Sequence, residues 1–436
     1  MAKRFRLLSN SWFRFGVRSL LAFTLAAGTG AAWFAAKVRT AQDRIAALKT
    51  LGPKVHVDRS LATATTEDLA IARFLGGELP PHGIKSVIMT RETDAQIAAL
   101  TAFPELESLC VSEFRPTAEN IDAVAQLERL RKLEVSVSDA PGDDWARLAE
   151  FRQLKNLQSF HLLGARLTSE AVAAIGQLPD LRSLSVSGRI SIGPDDLLQL
   201  ASLLKLESLD LAHEGERTCM VRSFPILRNL KKLAFHRVDV EEPAAAAIAE
   251  LRTLEELALP DCALGDESVL RLVRLRELKA LDLSGATVPN AAFEYVGRMT
   301  ELEELVLGDA KFDNAGLARI GARTNLKSLK RLDLARGPLN DRGLETILRL
   351  KTLRHLDLSE TLITDAGIGK LKQLGDVRRI WTYKTNVSEQ ALRDLVASLP
   401  ALGVNDDSTP RRYAPVDTPT GGANRTVKGQ RWKQRE

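Results

Sequence analysis

Cysteine and aromatic residues are scarce in this chain of 436 residues. Its three cysteines, Cys110, Cys219 and Cys262, do not have the Cys-x-x-Cys spacing of a zinc site, and they cannot supply disulfide-rich end caps. The chain also lacks a phosphate-binding loop, a nucleophile elbow and a protein-kinase signature. The sequence therefore predicts no cofactor, no metal and no catalytic residue, and a non-enzymatic protein is expected.

An excess of charge of one sign is also missing from most of the chain. The formal net charge is +5, from 61 Lys and Arg against 56 Asp and Glu. Both ends of the chain are rich in Lys and Arg, so the long middle part is close to neutral. A nucleic-acid partner would need a basic stripe in that middle part, and none is predicted.

The chain is rich in a leucine phrase that recurs at a nearly fixed period of 24 residues. A fixed period of about 20–50 residues indicates an array of similar structural units. Looser copies begin at Ile84 and Val377. The other copies, with the consensus Leu-x-x-Leu-x-Leu, begin at Leu106, Leu130, Leu157, Leu181, Leu206, Leu230, Leu254, Leu278, Leu302, Leu329 and Leu353.

Each copy of the phrase predicts a short β-strand. Leu356 and Leu358 are two residues apart, so they lie on the same face of a strand, and Asp357 between them is expected to point into solvent. A strand with one apolar face is not stable alone. Parallel stacking of successive strands would bury the leucines in one continuous column.

The second half of each copy predicts a short helix that returns the chain. Thr364 and Asp365 are good N-cap residues, and apolar residues follow them at helical spacing. An array of strands and helices has no closed core with a built-in cleft, so binding is the expected function. The apolar residues after this N-cap are Ile368, Leu371 and Leu374.

These residues resemble the leucine-rich-repeat family over residues 84–400. Small residues replace the family's ladder of asparagines, and the helices begin with a Thr-Asp-x-Gly-Leu pattern. Both features resemble the subclass found in the substrate arms of F-box proteins. The resemblance implies an α/β solenoid with a curved parallel β-sheet on the concave face and short helices on the convex face. The small residues are Ala165, Cys262, Ala286, Ala310, Gly337 and Thr361.

An uncharged run at residues 19–36 predicts a transmembrane signal anchor. As a helix it would span roughly 27 Å, just enough for a bilayer core. Cleavage as a signal peptide and burial as a soluble helix are the alternatives. The basic segment 1–18 places the N-terminus inside and the repeats on the extracytoplasmic side. The run between Arg18 and Lys37 resembles the anchor of membrane-anchored bacterial leucine-rich-repeat proteins.

The remaining segments follow from composition and pattern. Residues 37–51 predict a juxtamembrane helix that the Leu51-Gly52-Pro53 sequence ends. Residues 52–83 are expected to form an N-terminal cap. A C-terminal cap helix is expected to begin at Ser388, and the Pro- and Gly-rich segment 401–436 is expected to be disordered.

A few residues outside the leucine columns have two interpretations. Cys110 lies on the outward face of its strand, where it is either an inert or a reactive thiol. Cys262 takes a small turn position and predicts a buried structural thiol. His213 and His236 lie in neighbouring repeats, where they form either a solvated pair or part of a metal site.

The last third of the strand face carries the residue types that most often anchor interfaces, Trp, Tyr and Arg. We therefore expect a protein or peptide partner to bind there. In the alternative, the two aromatic residues close the end of the array and the Arg–Asp pairs are solvated ladders of little energetic value. The predicted partner-binding residues are Arg331, Asp333, Arg354, His355, Asp357, Arg379, Trp381 and Tyr383.

The sequence thus predicts a membrane-tethered, non-enzymatic interaction or scaffold protein. The membrane contact is expected through residues 19–36, and the partner is expected on the concave face of the repeats. The alternative is an F-box-like adaptor that recruits targets to an enzyme complex. Neither the ligand nor the oligomeric state follows from the sequence, because a fold does not specify its target.

Overall fold

A computed structural model describes much of the array and part of the segment before it. The predicted membrane anchor at residues 19–36 lies mostly outside the described residues, as do most of the predicted N-terminal cap and of the tail. Within the described part, no helix is both long enough and apolar enough to cross a membrane. The described ranges are 32–33, 35–52, 56–59, 84–90, 93–137, 150–215, 219–272, 274–287, 289–322 and 325–405.

Strands recur along the described chain, with two in some repeats. They are β1 His56–Arg59, β2 Ile84–Thr90, β3 Ser108–Phe114, β4 Lys132–Val137, β5 Ser159–Thr168, β6 Ser183–Ser191, β7 Ser208–His213, β8 Cys219–Val221, β9 Lys232–His236, β10 Val238–Val240, β11 Glu256–Ala258, β12 Ala280–Asp282, β13 Glu304–Val306, β14 Arg331–Asp333, β15 His355–Asp357, β16 Arg379–Trp381 and β17 Gly403–Asn405.

Fifteen of the described strands form one sheet in chain order, from β1 to β7 and then through β9 and β11 to β17. Strand β1 is antiparallel to β2, and the pairs from β2 onward are parallel. Strands β8 and β10 form a separate parallel pair beside the irregular repeat that follows β7. The predicted α/β solenoid with a parallel sheet is therefore confirmed.

The register of the sheet keeps equivalent leucines of neighbouring repeats side by side. Leu332 lies opposite Leu356, and Leu356 lies opposite Ile380. All three are buried, as are the leucines two residues further along, Leu334 and Leu358. Full burial of one such side chain contributes about 1.5–3 kcal/mol, so these columns are the main source of stability.

Short helices return the chain between strands and form a second layer. Six of the described α-helices begin at a Thr, Ser or Asn N-cap whose side chain accepts a backbone N–H, as Thr364 does from Ala366. A helix also covers residues 35–51. The α-helices are Asp94–Ala99, Ala118–Ala125, Ser169–Ile175, Glu242–Ala249, Asp266–Leu272, Phe293–Val296, Asn314–Ala322, Asp341–Ile347, Asp365–Ile368 and Glu389–Ser398, and the 3₁₀ helices are Leu100–Ala102, Asp196–Ser202, Asn290–Ala292 and Gly369–Gln373.

The helix over residues 35–51 packs against the first repeats of the array. Arg44 Nη2 lies 2.9 Å from Glu105 Oε2, and the Gln96 side-chain amide donates to the Leu51 carbonyl at 2.8 Å. Leu51 itself is fully buried. At Gly52 the backbone turns with φ at +74°, a conformation that favours glycine. The helix thus contributes Ala47 and Leu51 to the core at the N-terminal end of the array.

The C-terminal end of the array extends further than predicted. Ser388 is the N-cap of helix Glu389–Ser398, as the sequence indicated. Disorder was expected from residue 401, but Gly403–Asn405 form β17, which pairs in parallel with β16. That expectation is wrong for these residues, because the edge of β16 offers backbone partners that composition does not reveal. The rest of the tail lies outside the described residues.

Candidate partner-binding surface

One row of outward side chains crosses the middle of the strand face. Each repeat has one residue between its two strand leucines. In the register of the sheet, this residue lies beside the equivalent residue of the next repeat. We call it the central row: Cys110, Glu134, His161, Ser185, Asp210, Ala234, Ala258, Asp282, Val306, Asp333, Asp357 and Trp381.

Two predicted site residues in the central row are buried. Asp333 and Asp357 are 3% and 4% exposed, so the prediction that Asp357 points into solvent is wrong. Each carboxylate accepts the backbone N–H two residues ahead, from Ala335 at 2.9 Å and from Ser359 at 3.0 Å. These aspartates cap the ends of their strands, and their carboxylates are occupied by the fold.

A third predicted residue, Arg331, has an ion-pair partner on the neighbouring strand. Its Nη1 lies 3.1 Å from Glu304 Oε1, and both side chains are mostly buried. A partner protein would have to compete with Glu304 for this guanidinium. Arg331 therefore contributes less free charge to the surface than its position in the sequence indicates.

His355 lies at the centre of a group of arginines. Arg331, His355 and Arg379 are neighbours in one register row across β14, β15 and β16. Burial lowers the pKa of the His355 imidazole, and the positive charges of Arg331, Arg379, Arg354 and Arg378 lower this pKa further. The imidazole is therefore held in its neutral form near pH 7.

The two aromatic residues at this end of the sheet each contact a cation. The Arg379 guanidinium lies 5.9 Å from the centroid of the Trp381 ring, and the Lys384 ammonium lies 5.2 Å from that of Tyr383. The rings of His355 and Trp381 are 6.3 Å apart with a tilt of 31°. Both aromatic side chains are half-buried. The structure thus joins His355, Arg379 and Trp381 into one continuous surface, with Tyr383 beside it.

The structure also reveals a feature that the sequence interpretation missed, a charged row along one edge of the strands. It consists of the residue that follows the first leucine of each phrase. The backbone N–H of this residue donates to the backbone carbonyl of the equivalent residue one repeat earlier. We call this the charge row: Lys85, Glu107, Arg131, Gln158, Arg182, Glu207, Lys231, Glu255, Lys279, Glu303, Lys330, Arg354 and Arg378.

Signs alternate along most of the charge row, and neighbours form ion pairs. Glu207 contacts Arg182 at 2.6 Å and Lys231 at 2.9 Å. These two cations lower the pKa of the Glu207 carboxyl, Lys231 more than Arg182. A further pair joins Lys279 to Glu255 at 2.8 Å. The sequence contains this pattern, because the second residue of each leucine phrase carries the alternating charge.

The alternation stops at the C-terminal end of the charge row. Lys330 pairs with Glu303 at 2.7 Å, but the next two members are both arginines. Among the described residues, no carboxylate lies within 4.0 Å of a guanidinium of Arg354, Arg378 or Arg379, and these three side chains are exposed. We call these three residues the cationic end.

The cysteines are not suited to nucleophilic chemistry. Burial, and then the charge of Glu134, raises the pKa of the Cys110 thiol, so it is held in the protonated, unreactive form. Burial raises the pKa of Cys262 to about 12. The Cys262 Sγ contacts the Phe235 carbonyl oxygen at 3.2 Å, as expected for a structural thiol at the small turn position.

The predicted pairing of His213 and His236 on the exposed face is wrong. His213 is buried, and its Nδ1 accepts the backbone N–H of Ile190 at 3.0 Å. In the register of the sheet, His213 lies one residue beyond the position that neighbours His236. His236 instead lies 3.5 Å from Asp210 Oδ1. Within the described ranges, no group of three or more His, Cys, Asp or Glu side chains has metal-binding geometry.

Comparison with known families identifies two consecutive units of the array. A model described as "Leucine Rich repeat" matches residues 325–348 and 349–372, which contain β14, β15 and the helices that follow them. No curated protein matches the chain. Leucine-rich repeats generally mediate protein–protein interaction.

Three solved structures are similar to the chain at low identity. An internalin from Listeria monocytogenes has 14% identity, covers 75% of this chain and 87% of its own, and has a TM-score of 0.44. A leucine-rich-repeat protein from Leptospira interrogans has 19% identity, 70% and 91% coverage, and a TM-score of 0.40. The plant peptide hormone receptor RGFR1, solved in complex with RGF2, has 15% identity, 71% and 56% coverage, and a TM-score of 0.38.

Proposed function

We propose that this protein is a membrane-tethered, non-enzymatic scaffold that binds a protein or peptide partner on the concave strand face of its repeats. The observation that carries the proposal is the continuous surface of His355, Arg379 and Trp381, with exposed Arg354 beside it. Interface anchors are enriched in Trp, Tyr and Arg, and they lie where neighbouring groups exclude water.

The contrast between this surface and the rest of the array supports the location. Elsewhere along the charge row, cations and carboxylates neutralise each other, as Glu207 does with its two neighbours. Cations that are already paired in this way offer little net charge to a partner. At the cationic end, positive charge and aromatic area are free for a partner. Of the predicted site residues, Arg354, His355, Arg379, Trp381 and Tyr383 are retained, while Asp333 and Asp357 act as structural caps.

The proposed tether is the uncharged run at residues 19–36, with the repeats on the extracytoplasmic side. The helix over residues 35–51 follows this run directly and is fixed to the array through Arg44, Glu105 and Gln96. A membrane helix continuous with it would hold the first repeats close to the bilayer. The partner surface would then lie at the far end of the array.

A non-enzymatic role is supported by the family match and by the state of the nucleophiles. Leucine-rich repeats generally serve as interaction modules. The raised pKa of the Cys110 thiol disfavours the thiolate that catalysis would require.

Site-specific photo-crosslinking in cells tests the binding surface. A photoreactive residue at Tyr383 should give a crosslinked protein adduct that is lost in Trp381→Ala. The matched control carries the photoreactive residue in place of Arg342. This position is exposed in helix Asp341–Ile347, on the opposite layer. Adducts of equal yield at both positions, or none at Tyr383, would contradict the proposed surface.

Protease protection on spheroplasts tests the tether and its orientation. A C-terminal tag should be removed by external protease, leaving a small N-terminal fragment in the membrane fraction. Protection of the tag until lysis would place the repeats on the cytoplasmic side. Recovery of intact full-length chain in the soluble fraction would exclude the anchor.

A further inference from the structure

The end of the charge row constrains the chemistry of the partner. Along the preceding repeats each cation has a carboxylate on a neighbouring strand, and the row is close to neutral. The row continues to Arg354 and Arg378 with the same backbone geometry, since Arg354 donates its N–H to the Lys330 carbonyl and Arg378 to that of Arg354, both at 2.8 Å. The charge row has no acidic residue after Glu303.

We infer that the cationic end binds an acidic, extended segment of a partner protein, whose carboxylates supply the negative charges that the charge row lacks after Glu303. This inference rests on the proposed function and specifies its ligand. Arg354 and Arg378 are the residues that bind the carboxylates, and Arg379 with Trp381 forms the adjoining wall of the site.

The geometry suits carboxylates in a row. Neighbouring strands are about 4.8 Å apart, so the backbones of Arg354 and Arg378 present two guanidinium groups along one line. A guanidinium binds a carboxylate through two parallel hydrogen bonds, and such charge-assisted bonds are about twice as strong as neutral ones. An extended segment with acidic residues at alternate positions directs their side chains to one face, so two carboxylates can contact both arginines.

The charge pattern favours an acidic protein segment over other anions. Nucleic acids need a long basic surface, and the charge row contains carboxylates as far as Glu303. An anionic membrane would attract any exposed cation without using the aromatic residues. Trp381, half-buried between His355 and Arg379, instead offers apolar area at a defined place beside the cations.

The interaction is tested with the full-length chain and short fluorescein-labelled peptides in which Glu alternates with apolar residues. The counterpart peptide has Gln at each Glu position. Fluorescence anisotropy should show at least about 10-fold tighter binding of the Glu peptide, weakening as salt is raised. The double variant Arg354→Glu/Arg378→Glu should bind the Glu peptide at least about 10-fold more weakly.

A matched control carries the same change in net charge on the other layer. Arg342→Glu/Lys372→Glu alters exposed cations in helices Asp341–Ile347 and Gly369–Gln373, which precede β15 and β16 along the chain. Its affinity for the Glu peptide should stay within about 2-fold of the parent, because long-range charge effects are screened in salt. Equal losses in both double variants, or equal binding of the Glu and Gln peptides, would overturn the inference.

Two further outcomes separate this inference from the proposed function. Phosphatidylglycerol vesicles that bind through Arg354 and Arg378 while the Glu peptide does not would assign the cationic end to lipid headgroups and overturn the protein ligand. A crosslink at Tyr383 that depends on Trp381 but survives Arg354→Glu/Arg378→Glu would retain the proposed surface and remove the acidic ligand. If the parent chain gives no crosslink at Tyr383 and does not bind the Glu peptide, both proposals are contradicted.

Discussion

Asp341 accepts two hydrogen bonds from Thr364, one repeat further along the chain. The Thr364 backbone N–H donates to Oδ1 at 2.9 Å, and its hydroxyl donates to Oδ2 at 2.6 Å. Asp365 accepts the equivalent pair from Ser388, at 2.6 and 2.7 Å. In each case the second residue is the N-cap of the next helix. The Asp of the Thr-Asp-x-Gly-Leu pattern therefore joins successive repeats.

Removing the Asp341 carboxylate should weaken the junction between two repeats. In Asp341→Ala, the Thr364 N–H loses its acceptor and the N-cap side chain loses its orientation, so we expect a loss of about 1–3 kcal/mol. Urea unfolding followed by circular dichroism measures this loss. Asp376→Ala, at an exposed position with no hydrogen bond among the described residues, is the control and should stay within about 0.5 kcal/mol of the parent. Equal stability of both variants would contradict the role of Asp341.

Gly367 is explained by the same junction. A β-carbon at Gly367 would overlap Asp341 Oδ1, whereas at Gly369 it would meet nothing within 4 Å. We expect Gly367→Ala to destabilise the array by about 1–3 kcal/mol and Gly369→Ala to be neutral or stabilising by up to about 1 kcal/mol. Because both changes act on one contact, Asp341→Ala/Gly367→Ala should lose less than the sum of the single variants in the same unfolding assay. Strict additivity would show that the overlap with Asp341 is not the cause.

The period of the leucine phrase was sufficient to predict the architecture. Two residues at spacing two, such as Leu356 and Leu358, define one buried face, and an array of such faces has one economical packing. The small residues at the turn position are buried, as Cys262 and Thr361 show. The buried leucine columns of the sheet were therefore predictable from the sequence.

Individual side chains on that face were less predictable. Alternation indicates that Asp357 points away from the leucines, but it cannot reveal that the carboxylate turns back to bind the Ser359 N–H. His213 shows the same limit, because it stands one position further along its repeat than His236, and its side chain lies in the interior instead of on the surface. The charge row can be recognised only when the charges of equivalent residues are compared between repeats. Within a single repeat, nothing distinguishes Arg354 from an ordinary solvated cation.

The carboxylates of the charge row should make stability fall in acid. The Lys partners lower the pKa of Glu107, Glu207 and Glu255 in the folded state below the ordinary value for a glutamate carboxyl. The resulting stabilisation is present above the unfolded pKa and is lost as the pH falls through the lower folded pKa. The melting temperature should therefore decrease from about pH 5 downward, and Glu207→Gln should show a smaller decrease than the parent.

The control for this pH dependence is a carboxylate outside the charge row. Glu128 is exposed and has no ion pair among the described residues. Glu128→Gln should have the same melting profile with pH as the parent. A profile of Glu207→Gln identical to that of Glu128→Gln would show that the ion pairs with Arg182 and Lys231 do not stabilise the fold.

His355 should report on the charge around it. Burial and the four neighbouring arginines lower its pKa, so the neutral imidazole is favoured in the folded state. Its contribution to stability is present above the unfolded pKa of about 6.5 and is lost as the pH falls through the lower folded pKa. Arg354→Gln removes one positive charge, and the pKa of His355 should rise. Arg342→Gln on the helix layer should leave it unchanged.

A bound acidic segment should have the same effect on His355 as removal of an arginine charge. Carboxylates at Arg354 and Arg378 would offset the positive potential at the imidazole, raise its pKa and favour proton uptake on binding. Nuclear magnetic resonance of the ring protons, recorded against pH with and without the Glu peptide, measures both pKa values. By linkage, the Glu peptide should bind more tightly near about pH 6 than near about pH 8. A His355 pKa that does not change when the peptide is bound would place the carboxylates away from the cationic end.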